Sequence, residues 1–350
     1  MSVTREVVRG LVDAVQSVPL GPRLLARLSS IKIDAHALAR MGKPWRRQED
    51  QWPTYLNVEV TNRCNANCIF CAYRYQSRWR QGQGMMDEAV FEAAVTTHAE
   101  NGGRFVGLAP TVGDPLLDPS LISRLERVIG LGLSTSFFTN GIALCKIDLE
   151  GLIGTGIRLM SISAAPFDRR LFETISGSRR YDDLLRGVVA LLKLRNERGA
   201  EFIVHLQFRS PLTRRRTVAL PDFRQHVWPL LSEAERSQVQ VKNRFDSWGG
   251  QIRQRDLLPG MQLIPCSRLR RRPCKWTFVP MVSWDGKVRA CACRFRGTEQ
   301  SDGDELLVGD MKQESLSDIW LGPRPRELRR RFTRGDIPQV CADCAAYFPC

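Results

Sequence analysis

The chain reads Tyr55-Leu56-Asn57-Val58-Glu59-Val60 and then Thr61-Asn62-Arg63-Cys64-Asn65-Ala66-Asn67-Cys68-Ile69-Phe70-Cys71. The first stretch alternates apolar and polar residues, which predicts a β-strand, and three cysteines follow it at C-x3-C-x2-C spacing. Three thiolates within eight residues suit a soft metal site, either iron–sulfur or zinc. Structural zinc takes four protein ligands, and no fourth Cys or His lies near the triplet. A [4Fe–4S] cluster on three ligands instead keeps one iron open, so the stretch favours redox or radical chemistry.

This motif resembles the signature of the radical S-adenosylmethionine (radical SAM) superfamily, in which an aromatic residue, here Phe70, precedes the last cysteine. The resemblance implies that Cys64, Cys68 and Cys71 hold a [4Fe–4S] cluster whose open iron chelates SAM. It also implies that one electron from the cluster cleaves SAM to a 5′-deoxyadenosyl radical, which abstracts hydrogen from a substrate. The protein would supply orientation and exclusion of water. The alternative interpretation of the triplet is a partial zinc site or buried free thiols.

Further segments extend the resemblance to the SAM-binding residues. Gly113 and Asp114 lie in Val112-Gly113-Asp114-Pro115, which resembles the family's Gly-Gly-Glu-Pro segment, where backbone and carboxylate receive the SAM ammonium group. Aspartate is one methylene shorter than glutamate, and a plain turn is the alternative. Asn140, Ser163 and Arg209 follow or end the third, fourth and fifth predicted strands and complete the candidate set. Arg209 could hold a carboxylate, either of SAM or of the substrate.

Strands and helices alternate from residue 55 onward. The predicted strands cover 55–61, 105–108, 134–139, 157–163, 202–208 and 239–243, and the main predicted helices cover 87–101, 119–131, 181–199 and 221–237. This alternation predicts an α/β fold with a parallel sheet and right-handed crossovers. The resemblance implies a partial (β/α)6 barrel with its site at the carboxyl ends of the strands. We expect a helical segment at 1–50, the barrel at 51–257 and a small cysteine-rich domain at 258–350.

Seven of the eleven cysteines fall between residues 266 and 350. Cys274, Cys291, Cys341 and Cys344 have the spacing C-x16-C-x49-C-x2-C, which looks like the SPASM or shorter Twitch extension of radical SAM enzymes and implies an auxiliary [4Fe–4S] cluster. The Asp-Gly pair at 285–286 predicts a hairpin that brings the first two of these cysteines to one end. A zinc ribbon is the alternative interpretation.

Two auxiliary [4Fe–4S] clusters with only cysteine ligands would need eight thiolates, and this region has seven. One auxiliary cluster is therefore preferred. Cys266 and Cys293 then remain as candidate hydrogen-atom donors to a substrate radical. Trp248-Gly249-Gly250, which follows the sixth predicted strand, could border the substrate pocket or form an ordinary loop.

The composition narrows the class of protein. The net charge is +15, from 52 Lys and Arg against 37 Asp and Glu, but the arginine runs are short and scattered, so nucleic-acid binding is disfavoured. The sequence has neither an apolar run of eighteen residues nor an N-terminal apolar segment, which predicts a cytoplasmic protein without a membrane span. Eleven cysteines without a signal peptide favour cluster ligation in a reducing compartment.

These observations lead to a functional hypothesis. We expect a radical SAM oxidoreductase that dehydrogenates a sugar or aminocyclitol-type small molecule in natural-product biosynthesis, such as that of an antibiotic. The auxiliary cluster would accept the substrate's electron, and a flavodoxin or ferredoxin would reduce the enzyme. The alternatives are an epimerase with a cysteine hydrogen donor, a peptide maturase and an RNA-modifying enzyme. The peptide maturase is disfavoured because the sequence shows no leader-peptide domain. A non-catalytic iron–sulfur carrier or sensor belongs to a different class and needs no SAM pocket.

Overall fold

A computed structural model of the protein describes residues 24, 51–74, 82–266, 270, 272–292, 304–342 and 344–349. The predicted helical segment at 1–50, apart from Leu24, and the candidate hydrogen donor Cys293 lie outside these residues. No helix among the described residues is long and apolar enough to cross a membrane.

Six parallel strands pair in chain order and form the main part of the sheet. They are β1 (Tyr55–Val58), β2 (Phe105–Leu108), β3 (Ser134–Thr139), β4 (Leu159–Ala164), β5 (Ile203–Arg209) and β6 (Gln240–Lys242). The helices among them are α1 (Glu88–Glu100), α2 (Leu121–Gly130), α3 (Leu149–Gly154), α4 (Arg169–Ser176), α5 (Tyr181–Glu197), α6 (Arg214–Val218) and α7 (Glu233–Gln238). Among the described residues the sheet does not close on itself, so the α/β fold is a partial barrel.

The two faces of this sheet differ in polarity because successive side chains of a strand point to opposite sides. On β1, Leu56 and Val58 are fully buried in the hydrophobic core that the helices share. Asn57 lies on the opposite face, which at neighbouring register positions also carries Gly107 and Ser136. The apolar face is therefore covered by helices, whereas the other face has a polar character.

The cysteine-rich part extends the same sheet. Strand β9 (Met281–Val282) pairs in parallel with β1, and β10 (Lys287–Arg289) and β11 (Leu307–Asp310) follow it in antiparallel order. Ser283 N donates to Lys287 O at 2.9 Å, so the predicted hairpin is present around 284–286. The remaining elements are β7 (Arg244–Phe245) paired with β8 (Gln262–Leu263), α8 (Leu316–Leu321), α9 (Pro323–Arg334) and α10 (Gln339–Ala342).

The helix predicted over 221–237 is wrong as a continuous element. The structure has a π turn at Phe223–Val227, a 3-10 turn at Trp228–Leu230 and only then the α-helix α7. Pro229 lacks the N–H that a helix interior needs. Ser232 begins α7 as an N-cap, and its side chain and that of Glu235 form a capping box. A proline followed by this start signal explains the break.

We predict that Glu235→Gln lowers the free energy of unfolding by about 3 kcal/mol, because it leaves a buried arginine without its counter-charge. Glu235 pairs with Arg195, both are buried, and the same carboxylate accepts from Val204 N at 2.8 Å. Urea denaturation measures the change. Glu327→Gln, which breaks an exposed pair with Arg334, is the matched control and should cost less than about 1 kcal/mol. Equal losses of unfolding free energy in the two variants would contradict a stabilising role for the buried pair.

Candidate functional site

The three cysteines that follow β1 form a compact loop. Cys71 N donates to Cys68 O at 3.1 Å, and Cys71 Sγ accepts from Tyr73 N at 3.5 Å. The Tyr73 hydroxyl both accepts from Cys64 N and donates to Cys64 O, each at 3.0 Å. Asn67 N donates to Ser176 O at 2.7 Å, which fastens the loop to the end of α4. The loop is thus held at several points, mainly through its backbone groups.

Burial makes these thiols poor thiolates unless a positive partner is present. It raises the pKa of Cys64 to about 12 and that of Cys71 to about 11, and it also raises the pKa of Cys68. Cys64 and Cys71 each raise the pKa of Cys68 further, so the three sulfurs lie close to one another. Metal ligation requires the deprotonated form, and a bound metal supplies the missing charge. The donor set therefore fits an iron–sulfur cluster.

Gly113 brings the loop after β2 against the cysteine loop. Its φ is +115°, and a Cβ there would lie 2.7 Å from Thr61 O and 2.9 Å from Asn62 Cα. Asp114 N donates to Arg63 O at 2.8 Å. Only glycine permits this approach, because any side chain would meet backbone.

The Asp114 carboxylate accepts hydrogen bonds from its own chain. It is buried and accepts from Thr139 Oγ1 at 2.9 Å, Asn140 N at 2.7 Å and Leu116 N at 3.0 Å. Burial raises its pKa to about 6, and these donors oppose the change. The carboxylate holds the turn after β3 through these bonds. Its direct contact with the SAM ammonium group stays a prediction.

Asn140 connects that turn with the cysteine loop. Its Nδ2 donates to Asn65 Oδ1 at 2.7 Å and approaches Cys64 Sγ at 3.6 Å, while its Oδ1 accepts from Ile142 N at 2.8 Å. The amide is therefore fixed in orientation beside the first thiol.

Ser163 and Arg209 meet on the other side of the triplet. Arg209 Nε donates to Ser163 Oγ at 3.0 Å across the adjacent strands β4 and β5. Burial lowers the pKa of Arg209 to about 10, and Cys68 and Cys71 oppose this change because their thiolates favour the cation. A guanidinium thus lies next to the thiols, where it suits an anionic cluster or a carboxylate.

The second group of cysteines is Cys274, Cys291, Cys341 and Cys344, all buried. The thiols of the other three each raise the pKa of Cys341, in addition to burial, so the four converge. Phe348 N donates to Cys274 Sγ at 3.3 Å. Arg270 donates to Cys341 O and, at 2.9 Å, to Cys344 O, which fixes the backbone of the last two. Cys266 is half-buried after β8.

Among the described residues, no three or more His, Cys, Asp or Glu side chains are arranged to hold a single metal ion. Zinc would bind its thiolates on one ion, with Zn–S bonds of about 2.3 Å. In a [4Fe–4S] cluster each thiolate binds a different iron. Thiolates are suitable ligands for both.

Glu59 and Arg289 are buried charged residues that the sequence analysis did not single out. Glu59 Oε2 accepts from Thr111 N at 3.0 Å, and Arg289 lies close enough to lower the pKa of Glu59. Arg289 also pairs with Asp304 and donates to Cys291 O at 3.2 Å. Charges therefore connect the end of β1 with the second cysteine group. A glutamate between two valines on a predicted strand was the available signal.

Two family models match this chain. The model of the radical SAM superfamily matches residues 58–206. The chain therefore contains a radical SAM domain. An iron–sulfur cluster-binding domain, SPASM, matches residues 274–345. These two domains imply [4Fe–4S] clusters and SAM as the cofactors.

Curated relatives and solved structures extend this result. The radical SAM chain is 25% identical over 298 residues to GTP 3′,8-cyclase of Streptomyces coelicolor, covering 76% of this chain and 85% of that protein. It is 25% identical over 333 residues to the tungsten-containing aldehyde ferredoxin oxidoreductase cofactor-modifying protein of Pyrococcus furiosus, covering 85% and 88%. SuiB of Streptococcus suis bound to precursor peptide SuiA superposes with a TM-score of 0.53 at 13% identity, covering 89% and 73%. BtrN in complex with AdoMet and 2-DOIA superposes with a TM-score of 0.50 at 16% identity, and the match covers 84% of this chain and 94% of BtrN. At these identities the two structures show the fold alone.

We predict that the reconstituted protein binds about eight irons and that either cysteine group can be emptied separately. The variant with Cys64, Cys68 and Cys71 changed to Ala should retain about four irons, and so should one with Cys274 and Cys291 changed to Ala. Anaerobic iron and sulfide analysis measures both. Cys145→Ala is the matched control, because Cys145 is half-buried in the 3-10 turn at Ile142–Lys146 outside either group. A triplet variant that still bound eight irons would contradict the assignment.

We predict that Glu59 makes the protein less stable as the pH rises. Burial raises the pKa of Glu59 from its ordinary value of 4.5 to about 8, so between these values the folded state binds more protons than the unfolded state. Stability therefore falls with rising pH across this window. Urea denaturation of the wild type and Glu59→Gln should show the variant gaining relative stability from pH 5 to pH 8. A difference that stayed constant with pH would rule out the raised pKa.

Proposed function

We propose that this radical SAM protein oxidises a secondary alcohol of a small polyhydroxylated molecule of the sugar or aminocyclitol type. The observation that carries the proposal is the pairing of a three-thiol site with a separate four-thiol site. A cluster on three thiolates has an open iron for SAM, whereas one on four thiolates is closed and can only exchange electrons. When bound, the first cluster with SAM would supply a radical that removes a substrate hydrogen atom, and the second cluster would accept the remaining electron while the hydroxyl proton passes to solvent.

The chain's own residues would position SAM. Arg209, held by Ser163 beside the thiols, is suited to bind the SAM carboxylate. Asn140 is fixed next to Cys64 by three contacts, and the buried Asp114 keeps the turn that carries it in place. Phe70, through its position before Cys71, shapes the same pocket. These groups orient the cofactor without themselves taking part in electron transfer.

The polar face of the sheet is suited to bind a hydroxyl-rich substrate. Ser161, opposite His205 in register, and Gln207, opposite Ser163, lie on the face that carries Arg209. Gln207 is buried, and its Oε1 accepts no hydrogen bond from the described residues. Acceptors of this kind suit the hydroxyl groups of a sugar-like molecule, since an unmet buried acceptor is unfavourable.

A second candidate function is radical cyclisation of a phosphorylated nucleotide. The likeness to the Streptomyces coelicolor GTP 3′,8-cyclase along most of both chains favours it. Arg209 lies opposite Lys242 in the register of β5 and β6, which places two cations at neighbouring strand ends. Phosphate groups suit such a pair. Epimerisation with Cys266 as hydrogen donor and maturation of a peptide have weaker support from the described residues.

Reduction of the first cluster requires an electron donor. We propose an acidic flavodoxin or ferredoxin, because the protein's net charge of +15 would speed its association with a negatively charged partner. The rate of reduction by such a donor should fall with increasing ionic strength.

The test uses sugars and aminocyclitols deuterated at the carbinol carbon, incubated anaerobically with the reduced holoprotein and SAM. The proposal expects deuterium in 5′-deoxyadenosine and one carbonyl product per SAM cleaved. The variant lacking Cys274 and Cys291 should still cleave SAM but form no carbonyl product. A parallel incubation with GTP tests the second candidate. Turnover of GTP without net oxidation would overturn the alcohol oxidation, and failure to cleave SAM at all would overturn both.

We predict that Arg209→Gln weakens SAM binding by about tenfold or more, because a charge-assisted hydrogen bond contributes about 1.5–3 kcal/mol. Equilibrium binding of SAM to the anaerobically reconstituted protein measures this, with iron content as the check on cluster loading. Arg215→Gln changes an exposed arginine on α6 and should leave SAM affinity unaltered. Equal affinity in the two variants would remove Arg209 from the SAM site.

A further inference from the structure

The segment Phe245–Trp248 lies between the two cysteine groups and supplies a ligand to neither. It begins in β7 and continues into the loop that precedes β8. On one side it contacts the residue before Cys71, and on the other side the residue after Cys344. We call it the tie segment.

The contact with the triplet runs through Phe70. Trp248 Nε1 donates to Phe70 O at 3.1 Å. The rings of Phe70 and Phe245 stack with centroids 5.0 Å apart and planes inclined by 22°. Trp248 also packs on the small apolar cluster of Ala72, Tyr73 and Val112, which Cys64 and Cys71 border as well. The tie segment thus fixes both the backbone and the packing of the loop that carries the third cysteine.

The contact with the second group runs through Asp246. Its Oδ2 accepts from Ala345 N at 2.6 Å, and Ala345 directly follows Cys344. Its other oxygen accepts from Trp248 N at 2.6 Å. One carboxylate therefore joins the backbone of the second cysteine group to the residue that holds the first.

Trp248 has a backbone conformation that is unfavourable for its residue type. Its φ is +52°, and it is the one non-glycine residue with positive φ in the described part of the chain. Gly249 and Gly250 continue in the same region with φ of +65° and +84°. A bulky residue rarely adopts this conformation and keeps it only where its surroundings require it. Such strain is concentrated at functional sites.

We propose that Asp246 and Trp248 are positioning residues that fix the separation and relative orientation of the two clusters. The inference rests on the proposed function, in which a carbinol radical of the substrate gives one electron to the oxidised second cluster and its hydroxyl proton to solvent, leaving a carbonyl. Electron transfer depends steeply on distance, so the tie segment would set how efficiently the substrate radical is oxidised. Neither residue needs to touch the substrate for this role.

Two conservative variants separate the two ends of the tie segment. Asp246→Asn keeps the shape but replaces one of two acceptor oxygens with an amide donor, so it loses one of the two backbone bonds. Trp248→Phe keeps an aromatic ring and removes the N–H that reaches Phe70 O. Trp228→Phe is the matched control, because Trp228 is a half-buried tryptophan that packs on Phe223 and Arg224 and contacts neither cysteine group.

The primary measurement is the spin–spin interaction between the two reduced clusters in the full-length reconstituted protein, observed by electron paramagnetic resonance. The variant without the triplet cysteines supplies the spectrum of the second cluster alone. We expect the interaction to change in Asp246→Asn and Trp248→Phe and to stay as in the wild type in Trp228→Phe. The yield of oxidised product per SAM cleaved should fall in the first two variants, while SAM affinity is retained.

The outcomes distinguish this inference from the function on which it rests. About eight irons with a wild-type interaction in both variants would overturn the inference and leave the proposed function standing. A wild-type protein with only about four irons would overturn both. Because each variant alters a different end of the tie segment, misfolding of one leaves the other to decide.

Discussion

Strand β1 is hydrogen-bonded on both sides, to β2 and to β9, and the arrangement of the whole molecule depends on this double pairing. Its carboxyl end leads directly into the loop with the three cysteines. Through β9 and β10 it also positions Cys291, which follows the hairpin by two residues. A single strand therefore serves as the common reference for both cysteine groups. Parallel pairing at this edge makes the SPASM region a continuation of the barrel sheet.

Electrostatics explains why so much polar structure surrounds the thiols. The cysteines of the second group are buried and those of the triplet are half-buried. This burial raises the pKa of the thiols and would keep them protonated on its own. Arg209 near the triplet and Arg270 near the second group supply positive charge or donors in the same low-dielectric surroundings. The chain thus provides part of the compensation that an anionic cluster requires, and the metal provides the rest. The position of Arg209 at the end of the fifth predicted strand indicated its place near the triplet, whereas no sequence pattern linked Arg270 to the second group.

Local patterns predicted the parts of this protein that depend on neighbours in sequence. Alternating residues identified the strands, and the cysteine spacing identified the triplet and the SPASM pattern. The helix predicted over 221–237 is wrong as a continuous element because Pro229 and the N-cap Ser232 interrupt it. The role of Asp114 could not be inferred, since it depends on a turn 25 residues later. The hydrogen bond from Ala345 N to Asp246 joins residues that are 99 positions apart, and no local sequence pattern indicates it.

The four buried thiols of the SPASM region come from widely separated points of the chain, with intervals of 16, 49 and 2 residues. Any cluster that joins them is a cross-link, and cross-links that close long loops restrict the unfolded chain most strongly. Its binding energy is then also folding energy for the region that contains α8 and α9. Oxidative loss of this cluster would do more than remove an electron acceptor. It would also weaken the packing of this region, in which Trp320 and Phe332 are buried, and a larger unfolded fraction is more open to proteolysis.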